Sequence, residues 1–172
     1  VLMVGTGGYA GVYLNELLHS ERAAAQFELV GAVDPYAAQG ANYEALCAKN
    51  VPFFDTVEEF YAAHTADLAI VVTPIHLHAH QASYCLLHGS HVLCEKPICS
   101  TLEDAQMMID ARDRSGKKLG IGFQWSYNEG ILALKRDILD GKYGEIKQIR
   151  TIVFFPRDLA YYHRGSGWAG KR

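Results

Sequence analysis

The sequence predicts an α/β fold built on a doubly wound parallel β-sheet. Apolar, strand-like runs alternate with helix-like segments, which is the pattern of a parallel sheet covered on both faces. The predicted strands cover residues 1–5, 27–33, 51–54, 67–73, 91–94 and 118–123. Polar residues and glycines follow several of these strands, at the edge where parallel sheets place their ligands. With 49% hydrophobic residues among 172, the chain can bury one domain core and part of another.

Helix signals fill the intervals between the strands. Helices are predicted over residues 9–19 and from about Ala37. Two later helices carry the Ser/Thr-x-x-Glu spacing of a capping box, and two helix ends are followed by glycine. The capping pairs are Thr56 with Glu59 and Ser100 with Glu103, and the glycines are Gly89 and Gly116.

The pattern changes after residue 123. A helix is predicted over about residues 128–140, then a Gly-Lys-Tyr-Gly turn at 141–144 and a long strand at 146–155. We therefore predict one domain over residues 1–123 and the start of a second over residues 124–172. Because the chain opens on its first strand without Met and its last residues close no element, we expect a piece of a longer protein.

Charge and composition argue against several partners. The chain has 16 Lys and Arg against 19 Asp and Glu, a net charge of −3, and no basic block that would bind nucleic acid. No apolar run has the length of a membrane span and no signal peptide opens the chain, so we expect a cytoplasmic protein.

The spacing of the four cysteines is typical neither of a metal site nor of a redox motif, and it indicates free thiols in or near the core. They are Cys47, Cys85, Cys94 and Cys99.

A Gly-x-Gly-x-x-Ala motif follows the first strand directly. Gly5 permits a tight exit from the strand, Gly7 lets the backbone approach a pyrophosphate, and Ala10 is small enough for a helix to pack on the sheet. The phosphates would lie on free N–H groups at the N-terminus of that helix. Together with the preceding strand and the following amphipathic helix, the motif predicts a dinucleotide-binding βαβ unit.

Asp34 ends the second strand and indicates which dinucleotide is bound. A carboxylate there accepts hydrogen bonds from the ribose hydroxyls and repels a 2′-phosphate. The following Pro-Tyr-Ala-Ala-Gln segment has no Arg or Lys for that phosphate. NAD is therefore predicted over NADP. The alternative is that Asp34 only caps the turn before Pro35.

Three other strand ends carry chemically distinctive residues: Thr73-Pro74, Glu95-Lys96 and Gln124-Trp125. Lys96 is the best chemical candidate, because an ammonium there can donate to or polarise a substrate hydroxyl. The alternative is a surface ion pair between Glu95 and Lys96, which contributes little.

Alternating histidines after Thr73-Pro74 invite a metal interpretation that we do not favour. His76, His78 and His80 lie at the start of a helical pattern, where alternate side chains point in different directions. No metal site is predicted.

These motifs resemble the family of glucose–fructose oxidoreductase, inositol dehydrogenase and rhizopine-catabolism proteins (Gfo/Idh/MocA) over residues 1 to about 155. The resemblance is carried by the glycine loop, Asp34, the Thr-Pro-Ile-His-Leu-His segment at 73–78, the Gly-Ser-His-Val-Leu-Cys-Glu-Lys-Pro segment at 89–97, and residues 139–146. It implies a Rossmann domain, NAD(P) binding and reversible oxidation of a sugar, cyclitol or related hydroxyl. The cofactor-binding residues it implies, with those predicted above, are Gly5, Thr6, Gly7, Gly8, Tyr9, Ala10, Asp34, Thr73, Pro74, His78, Glu95, Lys96 and Gln124.

The resemblance places Lys96 near both cofactor and substrate as the catalytic residue, and Trp125 and Tyr127 are candidates to stack on a sugar. Three departures stand out. Ile75 replaces a common Asn, residues 124–129 lack the usual Arg-rich segment, and the family's Asp and His pair in the second domain lies beyond this chain. The resemblance also implies that the full-length protein is a homo-oligomer through that second domain.

The leading prediction is an NAD-dependent oxidoreductase that transfers a hydride between the nicotinamide and a sugar-like hydroxyl compound. Two alternatives share the same cofactor site. One is an NAD-binding sensor or scaffold without turnover, and the other is a glycosidase that uses bound NAD transiently. An acid–base pair in the second domain would favour the enzyme.

Overall fold

The structure, a computed structural model, describes residues 1–163. The chain divides into two compact units, Val1–Trp125 and a second that begins at Ser126. The first unit contains a six-stranded, wholly parallel sheet in the order β3-β2-β1-β4-β5-β6. Its strands are β1 Leu2–Val4, β2 Gly31–Val33, β3 Phe53–Phe54, β4 Leu68–Val71, β5 His91–Cys94 and β6 Leu119–Ile121. The predicted α/β class is confirmed.

Helices connect the strands of the first unit. They are α1 Ala10–His19, α2 Glu21–Ala24, α3 Tyr43–Ala48, α4 Val57–Ala63, α5 Ile75–Leu87 and α6 Leu102–Ser115. The helix predicted from Ala37 is wrong in detail. Residues 37–39 form a 3₁₀ turn and α3 begins only at Tyr43. Five of the six strands are shorter than predicted, and β5 has the predicted bounds, residues 91–94. The central β1 pairs over three residues with each neighbour, and its Leu2 lies opposite Gly31 and Ala69.

The alternating side chains of β1 build a core on each face of the sheet. Leu2 and Val4 point to one face, where they join a buried cluster that includes Phe60 and Met108. Met3 points to the other face. The partners of Met3 on that face include Leu14 of α1 and Leu46 of α3. Burial on both faces explains why the strands are nearly continuous apolar runs.

The caps largely follow the sequence, with one correction. Thr56 Oγ1 accepts from the Glu59 N–H at 3.2 Å, as predicted. At α6 the cap is Thr101, whose hydroxyl accepts from the Asp104 N–H at 3.1 Å, so the prediction of Ser100 is wrong by one residue. Ser100 fits the Ser/Thr-x-x-Glu spacing and Thr101 is followed by Asp104 instead, but the chain turns helical only after Thr101. Gly89 and Gly116 have the positive φ of C-terminal caps, 95° and 66°.

The second unit contains α7 Glu129–Leu139 and α8 Leu159–His163. Asn128 caps α7 by accepting from the N–H groups of Gly130 and Ile131. The predicted strand at 146–155 is wrong for the part of the chain that the structure describes, because those residues pair with no other strand there. A strand needs a neighbour for its backbone groups, and the described residues supply none. None of the described helices is both long and apolar enough to cross a membrane.

Candidate cofactor-binding site

The carboxyl ends of all six strands lie at one edge of the sheet. The chain places β2 and β3 on one side of β1 and then returns to place β4 on the other, which is the switch point where doubly wound sheets open a crevice. The residue at the start of five of the six loops is held by a backbone hydrogen bond to the neighbouring strand. The pairs are Gly5 to Val33, Asp34 to Phe54, Val72 to Val4, Glu95 to Val71 and Gly122 to Cys94. Each of these five loops therefore starts from a residue that is bonded to the sheet.

Three backbone N–H groups before α1 donate to no acceptor within residues 1–163. They belong to Gly7, Gly8 and Tyr9, and Tyr9 caps the helix without a side-chain bond. A Cβ at Gly7 or Gly8 would have no heavy atom within 4 Å. Free N–H groups at the positive end of a helix, below open space, fit the pyrophosphate of a dinucleotide.

The other two small residues of the motif are needed because a larger side chain would not fit at either position. Gly5 has φ +88°, and a Cβ there would stand 3.0 Å from the carbonyl oxygen of Val72. Ala10 is completely buried in the core formed by α1 and β1. The loop thus passes close to the strand on one side and leaves its N–H groups open on the other.

Asp34 is bound to the glycine loop. Its Oδ2 accepts from the N–H of Thr6 at 2.9 Å and from the Thr6 hydroxyl at 2.7 Å, and its Oδ1 accepts from the N–H of Tyr36 at 2.9 Å. The turn-capping alternative therefore describes a real contact. A carboxylate has about four acceptor positions, so Oδ1 retains one for a ligand hydroxyl.

His78 joins two of the loops. It is 1% exposed. Its Nε2 lies 2.8 Å from the carbonyl oxygen of Thr73, and its Nδ1 lies 3.0 Å from that of Pro97. Its ring nitrogens thus face protein carbonyls. The Thr73 hydroxyl donates to Gln81, and Pro74 is exposed at the start of α5.

The three alternating histidines have separate surroundings. His76 is exposed, and His80 lies 2.8 Å from Glu58. Burial raises the pKa of Glu58, but the hydrogen bond from its own backbone and the contact with His80 outweigh burial and lower it overall. Among residues 1–163, no three His, Cys, Asp or Glu side chains converge in a way that could hold a metal ion.

Glu95 and Lys96 do not form the surface ion pair considered above. Glu95 is 7% exposed, and its Oε1 accepts from the hydroxyl of Tyr13 at 2.6 Å. Its Oε2 accepts from the backbone N–H of Lys96 at 3.0 Å. The Lys96 ammonium instead lies 5.9 Å from the centre of the Tyr9 ring. The charged loop after β5 therefore contacts the N-terminal cap and the first turn of α1.

Two residues of the site escaped the sequence analysis. Tyr13 lies one helical turn after Tyr9, and that spacing is the only sequence signal that pairs them. Asn42 precedes α3, and its Nδ2 donates to the carbonyl oxygen of Thr6 at 2.8 Å. Neither contact follows from local sequence, because each joins segments more than 35 residues apart.

The predicted substrate residues lie on the 3₁₀ turn Gln124–Tyr127. Gln124 and Trp125 end the first unit, where Trp125 is 61% exposed. Tyr127 belongs to the second unit and is 59% exposed. Their contact with a substrate remains a prediction.

The cysteines differ in environment more than predicted. Cys85 and Cys94 are buried, but Cys47 is exposed on α3 and Cys99 is half-buried. Burial raises the pKa of the thiols of Cys85 and Cys94 to about 12. Placing Cys47 in or near the core was wrong, because α3 turns that side chain away from the sheet.

A cavity of about 590 Å³ lies away from the strand-end loops. It is an open groove between α5 and α6 that includes Ser83, Leu87 and Met107. None of its residues belongs to the strand-end loops. We therefore base the cofactor site on the free N–H groups and anchored side chains rather than on enclosed volume.

Comparison with known proteins identifies the family of this chain. The model of the GFO_IDH_MocA oxidoreductase family, described as having an NAD-binding Rossmann fold, matches residues 1–123. The chain belongs to this oxidoreductase family. The match covers the whole sheet and every loop described above except the last 3₁₀ turn.

Two curated relatives are enzymes of sugar metabolism by name. Glucose-6-phosphate 3-dehydrogenase of Bacillus subtilis is 29% identical over 96% of this chain and 45% of its own length. The 1,5-anhydro-D-fructose reductase of Ensifer adhaerens is 34% identical over 84% of this chain and 42% of its own. The chain therefore spans less than half of either relative.

A solved structure that is similar to this chain contains NADH together with UDP-GlcNAcA. The WlbA dehydrogenase of Bordetella pertussis, in complex with NADH and UDP-GlcNAcA, is 27% identical. The TM-score is 0.80, and the match covers 97% of this chain and 50% of that one.

Proposed function

We propose that the complete protein is an NAD-dependent oxidoreductase that transfers a hydride between the nicotinamide and a hydroxyl group of a sugar, cyclitol or related compound. The observation that carries the proposal is the meeting of the three free N–H groups before α1 with Asp34 and Lys96 at one sheet edge. The N–H groups and Asp34, after β1 and β2, suit a pyrophosphate and a ribose. Lys96, after β5, supplies an ammonium group.

The comparisons support the class of reaction. Two relatives are named as a glucose-6-phosphate dehydrogenase and an anhydrofructose reductase, and the WlbA dehydrogenase was solved in complex with NADH and UDP-GlcNAcA. An inositol 2-dehydrogenase of Rubrobacter xylanophilus, 27% identical over 83% of this chain, extends the group to a cyclitol. A sugar-like polyol is therefore the substrate class that we propose.

Each predicted site residue has a proposed task. Gly7, Gly8 and Tyr9 donate backbone N–H groups to the pyrophosphate, with Gly5, Thr6 and Ala10 shaping the loop. Asp34 accepts from the adenosine ribose, which favours NAD over NADP. Residues on the nicotinamide side are proposed as Thr73, Pro74, His78, Glu95, Lys96 and Gln124, and Trp125 and Tyr127 are proposed to border the substrate.

Lys96 is the proposed catalytic residue. The nicotinamide ring, when bound, supplies the chemistry by exchanging a hydride with the carbinol carbon. The ammonium of Lys96 donates a hydrogen bond to the substrate oxygen, which orients it and stabilises charge that develops there. We propose that the acid–base partner and the oligomer contact come from the part of the protein outside this chain.

The test uses the complete protein and two measurements. Calorimetric titration with NADH and NADPH is expected to show tighter binding of NADH. A screen of myo-inositol, glucose 6-phosphate and UDP-linked sugars with NAD is expected to produce NADH with at least one compound, and Lys96→Met to abolish most of that turnover while NADH still binds.

The outcomes separate the alternatives. Absence of dinucleotide binding would refute the proposed site. Tight NADH binding without turnover on any compound would favour the sensor, and release of an aglycone without net NADH would favour the glycosidase. Lys117→Met is a matched control, because that lysine lies between α6 and β6, away from the strand-end loops.

A further inference from the structure

Helix α1 contacts the loop after β5 through a side chain that has no assigned role. Tyr13 donates its hydroxyl to Glu95 Oε1 at 2.6 Å, across 82 residues of sequence. Tyr13 is half-buried and Glu95 is buried. A hydrogen bond to a charged group in such surroundings is stronger than one in water.

The carboxylate of Glu95 is confined from a second side. A Cβ at Gly122 would stand 2.7 Å from Glu95 Oε1 and 2.9 Å from the carboxyl carbon. Gly122 is itself anchored by its N–H to the carbonyl of Cys94. Only glycine at this position leaves room for the carboxylate, which therefore sits between the Tyr13 hydroxyl and the chain after β6.

The confined carboxylate also holds the next residue. Its Oε2 accepts from the Lys96 N–H at 3.0 Å, so the position of the carboxylate sets the backbone from which the Lys96 side chain extends. Tyr9, which caps the N-terminus of α1, packs edge-on against Tyr13 with ring centres 6.2 Å apart. The face of Tyr9 carries the Lys96 ammonium, which is the geometry of a cation–π contact.

We propose that Tyr13 is a positioning residue that acts through Glu95 to place the Lys96 ammonium. The expected effect on kcat rests on the proposed function, whereas the placement of Lys96 does not. The helix whose first N–H groups are free for phosphate thereby also locates the charged group at the other end of the site. Loss of the Tyr13 hydroxyl leaves the buried carboxylate of Glu95 with one hydrogen-bond donor fewer. The carboxylate then shifts toward other donors, and the backbone and side chain of Lys96 move with it.

The first experiment follows Lys96 without any substrate. Lysines of the complete protein are reductively methylated with ¹³C, which preserves their charge, and the Lys96 signal is assigned by its loss in Lys96→Arg. In Tyr13→Phe we expect that signal to shift or broaden. Tyr61→Phe is the matched control, because it removes a partly buried hydroxyl bonded to Ser90. Ser90 precedes β5 and therefore lies at the opposite end of that strand from Glu95, so the Lys96 signal should be unchanged.

The second experiment separates positioning from general loss of structure. With the best substrate of the screen, we expect Tyr13→Phe to lower kcat about tenfold. The dissociation constant of NADH is expected to change by only about twofold in the same variant. A merely structural role would lower the melting temperature and leave both kcat per folded molecule and the Lys96 signal unaltered.

A double-mutant cycle tests whether the effect passes through Glu95. Once Glu95→Ala is present, Tyr13→Phe should change the Lys96 signal no further. Gly122→Ala, which displaces the carboxylate while Tyr13 is intact, should reproduce the shift. Additive effects of Tyr13→Phe and Glu95→Ala, or an unmoved Lys96 signal in Tyr13→Phe, would overturn the proposal. Failure of the wild-type protein to bind NADH would refute the proposed function alone, since the signal of Lys96 is read without cofactor.

Discussion

Thr6 and Asp34 are joined by two hydrogen bonds that end on one carboxylate oxygen. The Thr6 N–H and hydroxyl lie 2.9 and 2.7 Å from Asp34 Oδ2. The pair connects the glycine loop at residues 5–10 to the end of β2, so the predicted ribose-binding group also shapes the predicted phosphate site. Substitutions here should therefore affect binding of both parts of the dinucleotide.

Asp34→Ala should remove the preference for NADH over NADPH. The ribose loses a charge-assisted hydrogen bond and a 2′-phosphate is no longer repelled, so we expect NADH affinity to fall about tenfold to a hundredfold. Calorimetric titration with both dinucleotides measures the change. Asp110→Ala on α6 is the control and should bind as the wild type does. A variant at Asp34 that keeps its full preference for NADH would remove this residue from cofactor selection.

Substitution of two glycines in the same loop should impair different properties, folding stability at Gly5 and NADH binding at Gly7. Gly5→Ala places a Cβ 3.0 Å from the Val72 carbonyl at φ +88°, so we expect it to destabilise folding by about 1–3 kcal/mol. Gly7→Ala meets no atom within 4 Å and should leave the unfolding midpoint nearly unchanged, while its methyl group obstructs the N–H groups and weakens NADH binding. Urea unfolding and NADH titration of both variants make the comparison. Equal loss of stability in the two would contradict the loop geometry.

The cap of α6 can be tested by a neighbouring pair of substitutions. Thr101→Ala removes the hydroxyl that accepts from the Asp104 N–H and should cost about 1 kcal/mol of unfolding free energy. Ser100→Ala removes an exposed hydroxyl that the sequence pattern alone would favour as the cap. It should be close to neutral in the same denaturation experiment, and a reversed order would restore the original assignment.

The exposed thiol and the two fully buried thiols should differ in their reactivity toward an alkylating reagent. At about pH 8, iodoacetamide should label the exposed Cys47 readily and leave Cys85 and Cys94 unmodified until the protein unfolds. Burial raises the pKa of both buried thiols from 9.0 to about 12. Because the folded protein disfavours their thiolates, it should lose stability as the pH rises from about 9 toward 12. Peptide mapping by mass spectrometry and alkaline unfolding curves provide the readouts, and rapid labelling of Cys94 in the folded protein would contradict its burial.

Short-range sequence signals predicted most of the first unit. The Gly-x-Gly-x-x-Ala loop, the acidic end of β2 and the cap at Thr56 each depend on residues close together in the chain, so their geometry can be inferred from spacing. The strand predicted at 146–155 failed for the opposite reason. Its apolar residues favour an extended chain, but pairing depends on a neighbour that the described residues do not include.

The sequence by itself determined the alternation of strands and helices, the parallel sheet and the side chains that stand at the strand ends. Only the tertiary structure decided which distant groups meet there: Tyr13 with Glu95, Asn42 with Thr6, and His78 with the loops at Thr73 and Pro97. The physical reason is that backbone conformation and burial follow local patterns, whereas a hydrogen bond between segments separated by tens of residues depends on how the whole sheet and its helices pack.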